Sequence, residues 1–252
     1  MRTDRSKHPW LAVFAVFCAG LFIGLILSGV VSSLSSKGPE LTLKEKYVRA
    51  IDNAMIAKSR DRYDHLTPIR DNNTELFWKG EGANRSVLMV IFTRFNSSYP
   101  VGQTVNTSWG DTWVTVGLEI KGFFRDHVTE GTNRTLRVAQ LLGLPPDTKN
   151  EFFVEAWVKP LDLFRPSPDN EINDTDAQLT FPAGVNASYV KWFNGNIIYS
   201  YYPKNFPWTR LGYTYDWGNS NSDVGLSEFV IKKGSIIEVK SISTVDQYLA
   251  NT

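Results

Sequence analysis

Two stretches of the chain are denser in chemically functional side chains than the rest. The first, at 163–176, reads LFRPSPDNEINDTD and gathers one arginine and four carboxylates in a proline-rich loop. Oxygen ligands clustered in a loop suit a hard cation, so this stretch is a candidate Ca²⁺ site. It lacks the glycine of an EF-hand loop, and a solvated acidic turn explains the same residues. The ligand-binding candidates here are Arg165, Asp169, Glu171 and Asp174.

The second stretch, at 206–218, reads FPWTRLGYTYDWG and alternates polar with apolar residues, as in a strand with one wet face. Trp208 and Trp217 offer flat surfaces for sugar rings, and the charged residues between them offer hydrogen bonds. Aromatic-rich strands usually belong to a core, so burial of these rings is the competing interpretation. The ligand-binding candidates here are Arg210, Tyr213 and Asp216.

An enzymatic interpretation would pair a carboxylate of the first stretch with Asp216 or Glu228, as acid and base of a glycosidase. Such a pair must lie about 5–10 Å apart in a cleft, which spacing along a chain does not establish. After residue 31 the chain has only two histidines, His65 and His127, and no cysteine, so a zinc site lacks ligands. We therefore assign no catalytic residue and no metal ligand, and favour a binding protein over an enzyme.

Together, the segments LFRPSPDNEIND and WTRLGYTYDWG resemble a group of exported prokaryotic proteins, over roughly residues 130–240. No activity is attached to that group. The resemblance implies export and gives added weight to the two stretches.

A long apolar segment precedes both stretches and determines where they act. From Trp10 to Val31 the chain has 22 residues without a charge. As a helix this segment is about 33 Å long, enough to cross a hydrocarbon core of about 30 Å. A helix satisfies its own backbone polar groups there, so we predict a transmembrane helix. A cleaved signal peptide is the alternative, although its apolar part is usually only about 7–15 residues long.

The charges around this segment predict its orientation. Arg2, Arg5 and Lys7 precede it, and a serine-rich segment follows it. Positive charge keeps a short flank in the cytoplasm, so the N-terminus should be cytoplasmic and the residues after the span should lie outside the cell. The span is then a single-pass anchor in the cell membrane. The predicted regions are a cytoplasmic tail at 1–9, the membrane helix at 10–31, a linker at 32–40, an amphipathic helix at 41–60 and an extracytoplasmic domain at 66–252.

Small residues in the predicted span raise the question of oligomerisation. Gly20, Gly24 and Ser28 recur at four-residue spacing, which places them on one helix face. Such a face lets a second helix approach closely and predicts a homodimer. Glycine is also simply common in membrane helices, so this remains a hypothesis.

The composition of the residues after the predicted span excludes some classes of partner. Of 27 Lys+Arg three precede the span, and of 26 Asp+Glu one does, which leaves a net charge of −1 outside. This balance argues against nucleic acid as a partner. The sole cysteine, Cys18, lies within the span, so the outer part has no disulfide and depends on its hydrophobic core.

Seven Asn-x-Ser/Thr triplets occur, all on the predicted outer side. They are candidate glycosylation sites, although loop-rich domains also place Asn and Thr in turns. The triplets begin at Asn72, Asn84, Asn96, Asn106, Asn133, Asn173 and Asn186.

The pattern after residue 41 predicts an α+β domain. Apolar residues at three- and four-residue steps predict a helix at 41–60, and a second helix is expected at 132–142 with Thr132 as its cap. Residues 160–176 are expected to form a loop, and 186–198 fit either a helix or a strand. The predicted strands are Leu76–Trp78, Val87–Phe95, Trp113–Ile120, Phe152–Val158 and a terminal hairpin of Glu228–Lys232 with Ser235–Ile242.

From the sequence alone, the chain is interpreted as a membrane-anchored extracytoplasmic protein that binds a ligand or a partner, or has a structural role, in the cell envelope. The alternative is a membrane-tethered hydrolase of envelope glycans that uses a carboxylate pair.

Overall fold

A computed structural model describes residues 40–250, and those from Thr42 onward form one unit. The predicted span Trp10–Val31 and its face of small residues lie outside the described part, so both stay predictions. Within residues 40–250, no helix combines the length and the apolar character needed to cross a membrane.

The described residues form helices and antiparallel sheets, which confirms the α+β class. The helices are α1 (Leu43–Ala54), α2 (Gly117–His127), α3 (Arg134–Leu141), α4 (Ala187–Tyr201) and α5 (Val245–Tyr248). The strands are β1 (Trp78–Lys79), β2 (Ser86–Thr93), β3 (Thr104–Asn106), β4 (Thr112–Val114), β5 (Phe152–Val158), β6 (Leu163–Phe164), β7 (Tyr213–Tyr215), β8 (Val224–Ser227), β9 (Phe229–Ile231) and β10 (Ile236–Thr244).

The first helix belongs to the folded domain. Thr42 and Glu45 form a capping box that satisfies backbone donors at the start of α1. The apolar face predicted by the periodicity packs against Trp217, whose ring lies 5.6 Å from that of Tyr47. The helix is therefore docked on the domain and does not serve as a free spacer.

Two sheets stacked face to face form the centre of the domain. The larger has the strand order β1-β2-β5-β10-β3, and the smaller has the order β4-β9-β6. Side chains alternate along each strand: Met89 and Val154 face the smaller sheet, whereas Val90 and Phe153 face helices α2, α3 and α5. A separate pair, β7 with β8, lies beside them.

The far side of the smaller sheet is covered by α4. Val230 of β9 and Phe164 of β6 pack against Tyr189 and Phe193 of this helix, together with Trp208. Helices thus cover the outer face of each sheet. Because both faces of β9 are buried, its three residues are all apolar.

The strand predicted at Trp113–Ile120 is wrong beyond its second residue. The strand ends at Val114, and Gly117 begins α2. The alternating WVTV suggests a longer strand, but Ile120 and Phe124 recur at helical spacing and are buried together. A side chain at Gly117 would lie 2.6 Å from the hydroxyl of Tyr248 and 3.1 Å from Val90, so a larger residue would require these neighbours to shift.

The predicted terminal hairpin is also wrong. A turn does join the segments, with the amide of Ser235 donating to the carbonyl of Lys232 at 3.2 Å. The flanking strands separate, however: β9 is the central strand of the smaller sheet, and β10 pairs with β3 and β5 in the larger one. Long-range pairing outweighs the local turn signal here.

Several other boundaries are resolved by the structure. The strand Phe152–Val158 is confirmed in full, and the undecided segment 186–198 is helical and capped by Asn186. The helix predicted at 132–142 is capped by Asn133 rather than Thr132. The expected loop at 160–176 contains the short strand β6. Within 206–218 only Tyr213–Tyr215 forms a strand, and Tyr213 and Thr214 are both buried.

Candidate functional site

A cavity of about 440 Å³ opens between the two sheets and the end of α4. Its wall takes residues from the end of β2, from β4 and β7, and from the loops that follow α3 and α4. Its size lies within the range of about 300–1,000 Å³ that is typical of small-molecule sites. A smaller chamber of about 80 Å³ shares Phe92, Trp113 and Glu228 with it and extends inward to Phe153. We name the two together the aromatic cavity.

Aromatic side chains form much of this wall, with ten of the 24 residues that line the larger chamber. Trp208 is buried, and Trp113 is edge-on to it with ring centroids 5.9 Å apart. Other rings on the wall remain open to solvent, since Phe95 is 57% exposed, Trp109 50% and Tyr199 59%. A hydrophobic rim exposed in this way around a concave site is typical of ligand-binding surfaces.

One carboxyl group lies in this apolar setting. Glu228 lines both chambers, and its Oε2 is fully covered without a hydrogen-bond partner among the described residues. Burial raises the pKa of Glu228 well above its ordinary value, and no opposite charge offsets that effect. The apolar surroundings therefore keep the acid uncharged to a higher pH than an exposed glutamate.

The backbone around Glu228 is held by three separate segments. Its own amide donates to the carbonyl of Gly212 at 2.9 Å. The preceding residue, Ser227, donates its amide to Glu119 at 2.7 Å and accepts from the hydroxyl of Thr115 at 2.8 Å. The backbone of Glu228 is thus fixed without using any hydrogen bond of its carboxyl.

A second polar group on the wall also lacks a partner. Trp208 is 5% exposed, and no described residue accepts a hydrogen bond from its Nε1. Trp217, by contrast, donates its Nε1 to the carbonyl of Leu144 at 2.9 Å. The two tryptophans of the second stretch thus have different roles: Trp208 lines the cavity, and Trp217 packs on α1.

The raised pKa of Glu228 predicts a pH-dependent stability difference. Between the ordinary pKa of glutamate and the raised one, the unfolded chain loses a proton that the folded chain keeps, so stability falls as pH rises. Glu228→Gln has no such proton. We expect the variant and the wild type to have the same free energy of unfolding in urea near pH 4. At pH 7 the variant should be the more stable, by about 1.4 kcal/mol for every unit by which folding raises the pKa of Glu228. A difference that does not vary with pH would show that Glu228 titrates normally.

The first stretch folds around Arg165, whose side chain is completely buried. Its Nη2 donates to the carbonyl of Asp174 at 2.8 Å, and its Nε donates to the carbonyl of Glu171 at 3.2 Å. Burial lowers the pKa of Arg165, against the effect of the acids around it. The guanidinium therefore organises its own loop from the inside.

The structure brings together three of the predicted acids. Carboxylate oxygens of Asp169, Glu171 and Asp174 all lie within 4.8 Å of one another. Burial raises the pKa of Asp169 and of Asp174, and Arg165 Nη2 lies 3.6 Å from an oxygen of Asp174. These oxygens could hold a cation, but Arg165 already supplies positive charge, so the Ca²⁺ site stays a prediction.

The predicted residues of the second stretch lie apart from that cluster and from one another. Arg210 donates through Nη2 to the carbonyls of Ala54 and Met55 at 3.1 and 2.8 Å, and so caps the end of α1. Both oxygens of Asp216 accept from the guanidinium of Arg137. Only Tyr213 lines the aromatic cavity, while its hydroxyl donates to the carbonyl of Asp61 at 2.7 Å.

These positions bear on the hydrolase alternative. Asp169 and Asp174 line a different, polar recess, whereas Glu228 lines the aromatic cavity. Asp216 is buried in its pair with Arg137. The carboxylates that the sequence offered as an acid–base pair are thus not assembled in one cleft of the described domain.

The candidate glycosylation residues are accessible. Asn96 and Asn72 belong to loops or short turns of the surface, and none of the seven asparagines is buried. The side-chain oxygens of Asn133 and Asn186 accept backbone amides at helix starts. Glycosylation remains a prediction.

The sequence analysis named Trp208, Tyr213 and Glu228 but did not place them in one site. It did not predict the other residues of the cavity wall. The sequence pattern places Phe92 and Trp113 only in strands, and it gives the exposed rings no role. No local motif marks them, because the wall comes from segments spread between residues 91 and 228.

Comparison with known proteins adds no assignment. No family model, no curated protein and no solved structure matches the chain significantly.

Proposed function

We propose that the protein is a membrane-anchored extracytoplasmic binding protein whose domain takes a small, largely apolar ligand into the aromatic cavity. The cavity volume of about 440 Å³ suits a molecule with one or two rings. Trp113 and Trp208 offer ring faces and edges to such a molecule, and the threonines and asparagines on the wall offer a few hydrogen bonds.

The observation that carries the proposal is the pair of polar groups left without partners. Glu228 Oε2 and Trp208 Nε1 are both covered, and both side chains line the cavity. A buried polar atom without a hydrogen bond costs about 1–3 kcal/mol. A ligand with a polar end beside its rings would give these two side chains a polar partner in the cavity.

The place of encounter follows from the predicted anchor. With the N-terminus cytoplasmic and Trp10–Val31 in the membrane, the domain faces the outside of the cell. Because α1 begins at Leu43 and is docked on the domain, only a short linker separates the cavity-bearing domain from the predicted span.

A neutral fluorescent dye tests this proposal. N-phenyl-1-naphthylamine is uncharged and largely apolar, is small enough for a cavity of about 440 Å³ and brightens when it leaves water. We expect saturable binding to the wild-type protein. Leu144 lines both chambers, so Leu144→Trp should fill part of the cavity and weaken binding by about tenfold, or about 1.4 kcal/mol.

The matched control is Leu161→Trp. Leu161 is 67% exposed and does not line the cavity, so the same substitution there should change the affinity by less than about twofold. Equal binding by the Leu144 variant and the wild type would place the dye elsewhere and contradict the proposal, provided circular dichroism shows both variants folded.

A further inference from the structure

The acidic and basic side chains on the wall of the aromatic cavity are all acids. Glu228 lies on its inner wall and Asp111 is exposed on its wall nearer the solvent. None of the described residues that line it is a lysine, an arginine or a histidine. An anionic ligand would therefore meet two carboxyl groups and no compensating charge.

Both carboxylate oxygens of Asp111 accept hydrogen bonds from uncharged donors. One accepts from the indole of Trp192 at 2.7 Å, and the other accepts from the backbone amide of Lys233 at 2.8 Å. Neither partner carries charge at the donating atom, so the negative charge of Asp111 is not neutralised by an ion pair within the described domain. It leaves a carboxylate without an ion pair on the exposed part of the wall.

The aromatic rings on the cavity wall also favour a cation over an anion. The face of an aromatic ring is the negative end of its quadrupole, and a cation within about 6 Å of it is attracted. Trp113, Trp208, Phe92 and Tyr213 all lie on the wall that also carries Glu228. The domain uses such contacts elsewhere, for example where Arg137 lies 4.6 Å from the ring centre of Phe123.

We infer that the ligand of this cavity is an organic cation, an amine or quaternary ammonium compound, with Glu228 as its counter-ion and the aromatic wall around its charged end. The inference rests on the proposed function and names the ligand class for the same site. A cation beside Glu228 supplies the opposite charge that no described residue provides, and so removes the reason for the carboxyl to stay protonated.

Three shape-matched probes test the inference: phenyltrimethylammonium, tert-butylbenzene and benzenesulfonate. They share a ring and a compact branched group, and they differ in charge. Each is titrated against the dye-loaded protein, and displacement of N-phenyl-1-naphthylamine is measured. We expect the cation to bind at least about tenfold more tightly than the neutral compound, and the anion more weakly than both.

The variant Glu228→Gln tests whether Glu228 causes the preference for the cation. The ratio of cation to neutral affinity should fall to about twofold or less in this variant. Asp64→Asn removes the same charge from an exposed residue outside the cavity and should keep the wild-type ratio. If the Glu228 variant does not fold, Asp111→Asn serves in its place, with a smaller fall in the ratio expected because Asp111 is exposed.

The outcomes separate the two proposals. If the dye and tert-butylbenzene bind but the cation shows no preference, the organic-cation inference is overturned while the binding function stands. If neither the dye nor any probe binds, both are overturned. A cation preference that survives in the Glu228 variant also contradicts the inference, because the counter-ion would then lie elsewhere.

Discussion

Replacing Arg137 with methionine should lower the free energy of unfolding by about 3–5 kcal/mol. Arg137 on α3 binds Asp216 with two hydrogen bonds of 2.8 and 2.5 Å, and the Asp216 side chain is completely buried. Loss of the guanidinium leaves a buried carboxylate whose remaining donor is the amide of Gly218, at 3.0 Å. Urea unfolding monitored by tryptophan fluorescence measures the change.

Two further variants show the origin of this effect. Arg137→Met combined with Asp216→Leu should recover much of the loss, because an apolar pair leaves no charge buried. Asp126→Asn removes one side of the exposed pair between Arg125 and Asp126 and should cause no resolvable change. If Arg137→Met is as stable as the wild type, the pair does not hold α3 to the segment after β7.

Replacing Arg165 with methionine is the second large effect, and we expect a loss of about 3 kcal/mol or more. The substitution strands the carbonyls of Glu171 and Asp174 and leaves the acids of the loop without their internal cation. Loop residues 165–178 should then open, so hydrogen exchange and proteolysis in this segment should accelerate along with the fall in global stability.

The control for Arg165 is Arg60→Met, since the Arg60 side chain is 77% exposed and pairs only with the neighbouring Asp61 among the described residues. It should leave both unfolding and proteolysis unchanged. A stable, protected loop in the Arg165 variant would instead favour the ligand-contact role that the sequence suggested for this arginine.

Local pattern predicted those elements whose own apolar period or run is unambiguous. The amphipathic period of Tyr47, Ile51 and Ala54 marks α1, and an apolar run interrupted only by Glu155 marks β5. Both signals survive because each element has one well-defined set of buried positions. The failures at Trp113–Ile120 and at the terminal hairpin have the opposite cause, since neighbours distant in the chain decided which way each segment turned.

The stretches at 163–176 and 206–218 show the same difference between what the local sequence indicates and what the folded structure decides. Their density of charged and aromatic residues indicated unusual chemistry, but it did not show what those residues do. Arg165, Arg210 and Asp216 are all buried or bound within the domain, where they hold loops and helices together. A sequence shows that a charge is present, and burial decides whether it faces solvent, a ligand or another part of the same chain.

The amino-acid sequence alone therefore determined the absence of disulfides outside the predicted anchor, the near-neutral charge and the first helix, because each depends on residue type or short-range period. The aromatic cavity was decided only by the tertiary structure. Phe92, Trp113, Trp208 and Glu228 come from four separate segments, and antiparallel pairing together with the packing of α4 brings them to one wall. Such long-range contacts are a property of the whole fold, which no local spacing encodes.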